Sequence, residues 1–159
     1  MEIQEEIRKN IQDARHLYQK LILLVGKSGS GKTGILKKIS NEFAVPMINV
    51  NLEMSSRLLD IPLEKRASNL SRLFSSLLNN TGRDMVLLDN IEILFDISLQ
   101  QNPLSLLQNN GKNRVVIAAW SGAIENGRLT YARTEHHEFR AYSTEETGIT
   151  IDLNTSPDE

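Results

Sequence analysis

The run Gly26-Lys27-Ser28-Gly29-Ser30-Gly31-Lys32-Thr33 follows the pattern G-x-x-x-x-G-K-[ST]. Glycines at this spacing let successive N–H groups converge on phosphate oxygens, and a helix that opens at the end of the run turns its positive dipole toward the same anion. Lys32 adds a cation for the β- and γ-phosphates, Thr33 adds a hydroxyl for Mg²⁺, and Gly34 continues the junction into the helix. Such chemistry needs a second acidic group near the metal, at the end of a neighbouring buried strand. Asp89, which closes the apolar run Met85-Val86-Leu87-Leu88, meets that need, so Thr33 and Asp89 form the expected metal pair. No Asn-Lys-x-Asp sequence occurs, which favours ATP over GTP.

Binding is one requirement and hydrolysis is another. The position after Asp89, where many ATPases carry Glu, holds Asn90. An amide orients water but cannot accept its proton, so slow or partner-stimulated turnover is expected. Glu92 just downstream and Glu53 just past the second strand are the candidate bases. Ser121, directly after the apolar run Val115 to Trp120, stands where a polar contact to the γ-phosphate is expected.

These residues must be positioned by strands and helices, and the pattern supplies both. Ile3, Ile7, Ile11, Ala14, Tyr18 and Leu21 recur at helical spacing, giving an amphipathic helix over residues 1–20 whose apolar stripe is expected to pack on its own domain, with an interface helix as the alternative. Leu21 to Val25, Met47 to Val50, Met85 to Leu88, Val115 to Trp120 and Ile149 to Leu153 read as five short strands, the first and third of them buried. Between them lie helices marked by Ile35 to Phe43, by Leu70 to Leu78, and by Asn102-Pro103 to Gly111. Alternation of this kind predicts an α/β fold with helices on both faces of a mostly parallel sheet. One domain spans residues 1–153, with a long loop or irregular hairpin over 121–147 and a flexible tail at 154–159.

Composition narrows the setting. The 159 residues suffice for a single core, and 18 basic against 20 acidic residues give a net charge of −2, with no global pull toward nucleic acid. The absence of cysteine excludes disulfides, thiolate metal sites and a cysteine nucleophile. The acidic start and the lack of an apolar run near 20 residues point to a cytoplasmic protein without a membrane span. One local basic segment stands out, with Arg128, Arg133, His136, His137 and Arg140 beside Tyr131, Phe139 and Tyr142. An arginine here can reach the phosphates of a neighbouring subunit, or the segment can meet DNA, with a solvated loop as the simplest reading. His136 and His137 are adjacent and lack the spacing of a helical zinc pair.

The strand and loop Leu21 to Thr33, the runs Asn49-Val50-Asn51-Leu52-Glu53 and Leu87-Leu88-Asp89-Asn90-Ile91-Glu92-Ile93-Leu94-Phe95, Pro103 to Gln108, and Gly127-Arg128-Leu129-Thr130-Tyr131-Ala132 together resemble the BrxF family. These are small P-loop proteins of type 3 BREX bacteriophage-defence systems. The resemblance runs from about Leu21 to Tyr142. It implies a three-layer P-loop NTPase fold of the additional-strand type, five strands in the order 5-1-4-3-2, with no helical lid domain. It also implies work beside a larger ATPase, a DNA methyltransferase, a phosphatase-like protein and a helicase. Two functions compete on these grounds: a weak ATPase acting as a nucleotide-gated homo-oligomeric switch, and a non-hydrolysing module that uses ATP to bind a partner protein or DNA. A small-molecule kinase fits less well, since no acceptor-binding segment follows the phosphate loop.

Overall fold

A computed structural model describes residues 2–132 and 138–154. In chain order the elements are α1 (Ile3–Ala14), β1 (Leu21–Gly26), α2 (Lys32–Phe43), β2 (Met47–Asn49), α3 (Val50–Leu58), α4 (Leu63–Asn79) and β3 (Met85–Asp89). Two 3-10 segments follow, Ile91–Phe95 and Ile97–Leu99, and then α5 (Pro103–Asn110), β4 (Val115–Glu125), β5 (Arg128–Tyr131), β6 (Arg140–Ser143), α6 (Thr144–Thr147) and β7 (Ile149–Asp152).

The parallel part of the sheet runs β2-β3-β4-β1-β7. Its central strands are apolar on both faces because both faces are covered: every residue of β1 and β3 is buried, as are the first six residues of β4. Alternation along β1 divides the core in two. Leu21, Leu23 and Val25 join Met54, Phe74 and Leu107 from α3, α4 and α5, while Ile22 and Leu24 join Ile7 and Ile11 of α1 and Leu36 and Ile39 of α2. The apolar stripe of α1 therefore packs on its own sheet.

Four elements depart from the sequence reading. The first helix ends at Ala14 and not near residue 20, so Tyr18 is exposed and Leu21 opens β1 instead of continuing the helical stripe. Val50 starts a helix where a strand was expected to end: the Asn49 side chain accepts from the Leu52 N–H at 3.0 Å and caps α3, which buries Val50, Met54 and Leu58 along one stripe. Leu63 to Asn79 form one helix that begins well ahead of Leu70. The segment expected as a loop or irregular hairpin is largely regular. β4 continues past Trp120 to Glu125, turns through Asn126 (φ 53°) and Gly127 (φ 73°), and pairs antiparallel with β5, which pairs with β6. Two consecutive left-handed residues give a primed turn whose twist matches the strands. Ser143 then caps α6 with its side chain. Of the expected tail, residues 155–159 lie outside the described residues.

Candidate nucleotide site

Functional side chains collect at the carboxyl ends of β1 and β3 and beside the point where β4 leaves the parallel sheet, the edge where a ligand finds backbone groups unpaired. The register fixes who meets whom. Gly26 ends β1 beside Ser121 of β4, and Asp89 ends β3 beside Asn49 of β2. Between β1 and α2 the loop turns at Gly29 (φ 82°) and Gly31 (φ 93°), left-handed conformations that favour glycine. Gly26 is closely packed: a Cβ there would lie 2.2 Å from the Ser30 Oγ, so the serine hydroxyl would have to turn away.

Lys32 opens α2 and folds back under the loop. Its Nζ donates to the carbonyl oxygens of Gly26 and Lys27, each at 2.8 Å, and approaches Ser30 Oγ at 3.5 Å. The side chain is buried, and desolvation pulls its pKa below the ordinary lysine value, with Glu92 and Asp89 acting in the opposite direction. Thr33 Oγ1 donates to Asp89 Oδ2 at 2.8 Å, and Asp89 Oδ1 accepts from the Asn90 N–H at 3.1 Å. The expected metal pair is thus in direct contact, although 56 positions separate the two residues.

A cleft of about 370 Å³ opens over these groups. Ser28, Gly29, Gly31, Lys32, Thr33 and Gly34 form one wall; Asp89, Asn90, Glu92, Ala119 and Ser121 form the other. Glu92 is half-buried, and its carboxyl pKa is pushed above the usual range, first by burial and then by the Asp89 charge, with Lys32 opposing both. Asn90 adopts a left-handed conformation (φ 54°), which Asn tolerates better than most residues, and its carbonyl accepts from the Asn51 N–H at 2.9 Å. The backbone at Asn90 thereby ties the end of β3 to the start of α3.

Glu53 is elsewhere. It sits on α3 outside the cleft lining, its side chain 42% exposed and its carboxylate 3.6 Å from the Arg57 guanidinium one turn along. The helix at Val50, which the sequence reading did not anticipate, carries Glu53 out of line with the strand end. In the basic segment, Arg133, His136 and His137 lie outside the described residues. Tyr131 and Tyr142 turn inward, so they do not form a stacking surface for nucleic acid. Tyr131 stacks on Phe95 with ring centroids 3.6 Å apart, Tyr142 meets Trp120 edge-on, and each tyrosine is 8% exposed. Burial, with Glu92 and Glu138 adding to it, pushes the Tyr131 phenol up to about 12. Phe95 lies three residues beyond Glu92, and Trp120 directly precedes Ser121, so this ring cluster backs the far wall of the cleft. Periodicity alone held no signal for it.

The cleft suits a triphosphate with its metal. A left-handed glycine loop, the amino end of a 12-residue helix and a buried ammonium converge on one side. The hydroxyl–carboxylate pair across from them is the sparse protein donor set that Mg²⁺ accepts, since it keeps waters and phosphate oxygens as its remaining ligands. No cluster of three or more His, Cys, Asp or Glu that could hold a metal occurs among the described residues, and no described helix is long and apolar enough to cross a membrane.

Comparison with known proteins agrees with the geometry. No curated protein sequence matches the chain. A solved structure of C. elegans PCH-2 superimposes with a TM-score of 0.50 at 17% identity over 97% of this chain, which indicates a shared fold. The aligned part spans 42% of that structure's chain. The profile of the AAA family, ATPases associated with various cellular activities, matches residues 22–121, from β1 through the phosphate loop and Asp89 to Ser121. That stretch is most of the 159-residue chain, so the protein belongs to the AAA family of P-loop ATPases, a membership that implies ATP and typically Mg²⁺ as its ligands.

Proposed function

We propose that this protein is a slow or partner-stimulated ATPase that works as a nucleotide-gated assembly switch in BREX-type phage defence. The observation that carries the hydrolytic part is the cleft itself. It holds the Thr33–Asp89 contact and the buried Lys32, and its only lining carboxylate besides Asp89, among the described residues, is Glu92. Lys32 and the amides of the glycine loop would hold the phosphates, and Thr33 and Asp89 would hold Mg²⁺, which when bound neutralises charge on the phosphate oxygens. Asn90 would orient an attacking water and Glu92 would take its proton. Burial raises the Glu92 pKa and so makes its carboxylate a stronger proton acceptor once ionised, whereas slow turnover rests on Asn90, whose amide orients water without accepting its proton. Ser121 would supply a hydroxyl opposite the loop.

The defence setting and its partners, a larger ATPase, a DNA methyltransferase, a phosphatase-like protein and a helicase, rest on the resemblance of Leu21 to Tyr142. The additional-strand classification rests on the same kind of likeness, while the cytoplasmic location rests on the absence of cysteine and of an apolar run near 20 residues. The alternative, a non-hydrolysing binding module, is favoured by Asn90 alone. ATP turnover and particle mass measured together separate the two. Lys32→Ala should lower MgATP affinity by about tenfold or more, since an interaction with a charged phosphate contributes roughly 1.5–3 kcal/mol. Phosphate release that disappears with Lys32→Ala supports the enzyme, and mass that grows with ATP but not ADP supports the switch. ATP-dependent partner or DNA binding with no phosphate release in any condition establishes the alternative.

A further inference from the structure

Beyond the parallel sheet, Leu153 extends β7 by one more bond, its N–H donating to the Val25 carbonyl at 2.8 Å. The next side chain reaches across two elements at once. Asn154 Oδ1 accepts from the backbone N–H of Lys27 at 3.0 Å, and Asn154 Nδ2 donates to the carbonyl of Gly122 at 3.0 Å. Its own N–H donates to Asp152 Oδ1 at 2.9 Å, which fixes the turn that aims the amide. Lys27 is the first residue of the phosphate loop after β1. Gly122 follows Ser121, the β4 residue that lines the cleft beside Gly26.

Gly122 is also the root of the hairpin. It pairs with Tyr131, and a Cβ placed on it would lie 1.8 Å from the Thr130 carbonyl oxygen, which in turn accepts from Trp120 Nε1 at 3.0 Å. A movement of Gly122 therefore cannot be absorbed locally. It passes to Thr130 and to the ring cluster behind the cleft. A carboxamide has an acceptor and a donor on one planar group, whereas a carboxylate can satisfy only the Lys27 side and an aliphatic chain neither. The two partners, one N–H and one C=O, also fix which end of the amide faces which.

We propose that Asn154 is a positioning residue of the nucleotide site, bridging the first amide of the phosphate loop to the root of the β4–β5 hairpin so that loop and hairpin hold each other in register. The bridge makes the hairpin the element through which the loop's state reaches the rest of the molecule. This rests on the nucleotide-binding reading only for its ligand-dependent readouts.

Asn154→Ala and Asn154→Asp in the full chain test it. Without nucleotide, amide hydrogen exchange at Lys27 should accelerate several-fold in Asn154→Ala and stay slow in Asn154→Asp, while exchange in β5 should rise in both. With MgATP, affinity should fall about 2- to 10-fold in Asn154→Ala, the loss of one or two ordinary hydrogen bonds. Trp120 is the chain's single tryptophan and reports on the hairpin root. Its emission change on adding MgATP should shrink in both variants. Wild-type exchange at Lys27 in Asn154→Ala overturns the bridge, and so does an affinity loss that follows only a fall in Tm, since that marks a merely structural role. A wild-type protein that binds no MgATP defeats the nucleotide reading instead, and the exchange measurements still decide the bridge.

Discussion

Glu92 sits among influences that oppose one another, and its titration exposes the balance. Burial and the neighbouring Asp89 charge raise its pKa; Lys32 lowers it, and the net result lies above the ordinary carboxylate value. Between those two values the folded protein binds more protons than the unfolded chain, so stability falls as pH rises through that window. The cost is absent below the ordinary value and fully present above the raised one. Glu92→Gln removes it: the variant's Tm should match wild type near pH 4 and exceed it at pH 8, and a gap that fails to widen with pH would contradict the assignment. The same carboxyl as proton acceptor predicts turnover that climbs with pH through its raised value and drops roughly 10²-fold or more in Glu92→Gln. Lys32, Thr33 and Asp89 were legible from sequence because a fixed loop and a strand end set their spacing. The standing of Glu92 over Glu53 was not, since it depends on where α3 begins and on the desolvation that surrounds one carboxylate and not the other.

Elements show where local signals suffice and where neighbours decide. β1, β3 and the first part of β4 could be read directly, because burial on both faces leaves an unbroken apolar run. The hairpin carried its own signal in Asn126-Gly127 between Ile124 and Leu129, but the polar residues around it masked the pairing that continues β4. α3 was hidden because Met47 to Val50 reads as one continuous strand, and only the Asn49 cap divides it. Two glycines test this account of the elements. Gly122→Ala forces a Cβ against backbone, not against a movable side chain, and should cost about 3 kcal/mol or more in urea unfolding. Gly34, within α2, has nothing within 4 Å of its would-be Cβ and no positive φ, so Gly34→Ala should gain about 0.5–1 kcal/mol. A similar effect at both positions would mean that the close approach of β5 to Gly122 is not the constraint.

At the scale of the whole molecule, the question is whether the hairpin is an appendage or part of the core that supports the cleft. Leu129, Tyr131 and Tyr142 belong to the same buried cluster as Met54, Phe74 and Leu107, on the sheet face covered by α3, α4 and α5. Phe95, Trp120, Tyr131 and Tyr142 interlock through one stacked and three edge-on contacts, and the Tyr142 hydroxyl is 3.0 Å from the Asn102 side chain that caps α5. These contacts join residues far apart in sequence, which is why spacing along the chain could not announce them. They also join the hairpin to the 3-10 segment that carries Glu92 and to Trp120, the neighbour of Ser121, on the far wall of the cleft. Leu129 is fully buried at the centre of this arrangement, so Leu129→Ala should destabilise the entire chain by about 2–5 kcal/mol, in a single transition seen alike by far-UV circular dichroism and by Trp120 emission. Separate transitions, with the hairpin melting first while the helices persist, would make it a dispensable flap. A common transition makes it part of the one cooperative unit that holds Asp89, Ser121 and the phosphate loop in place.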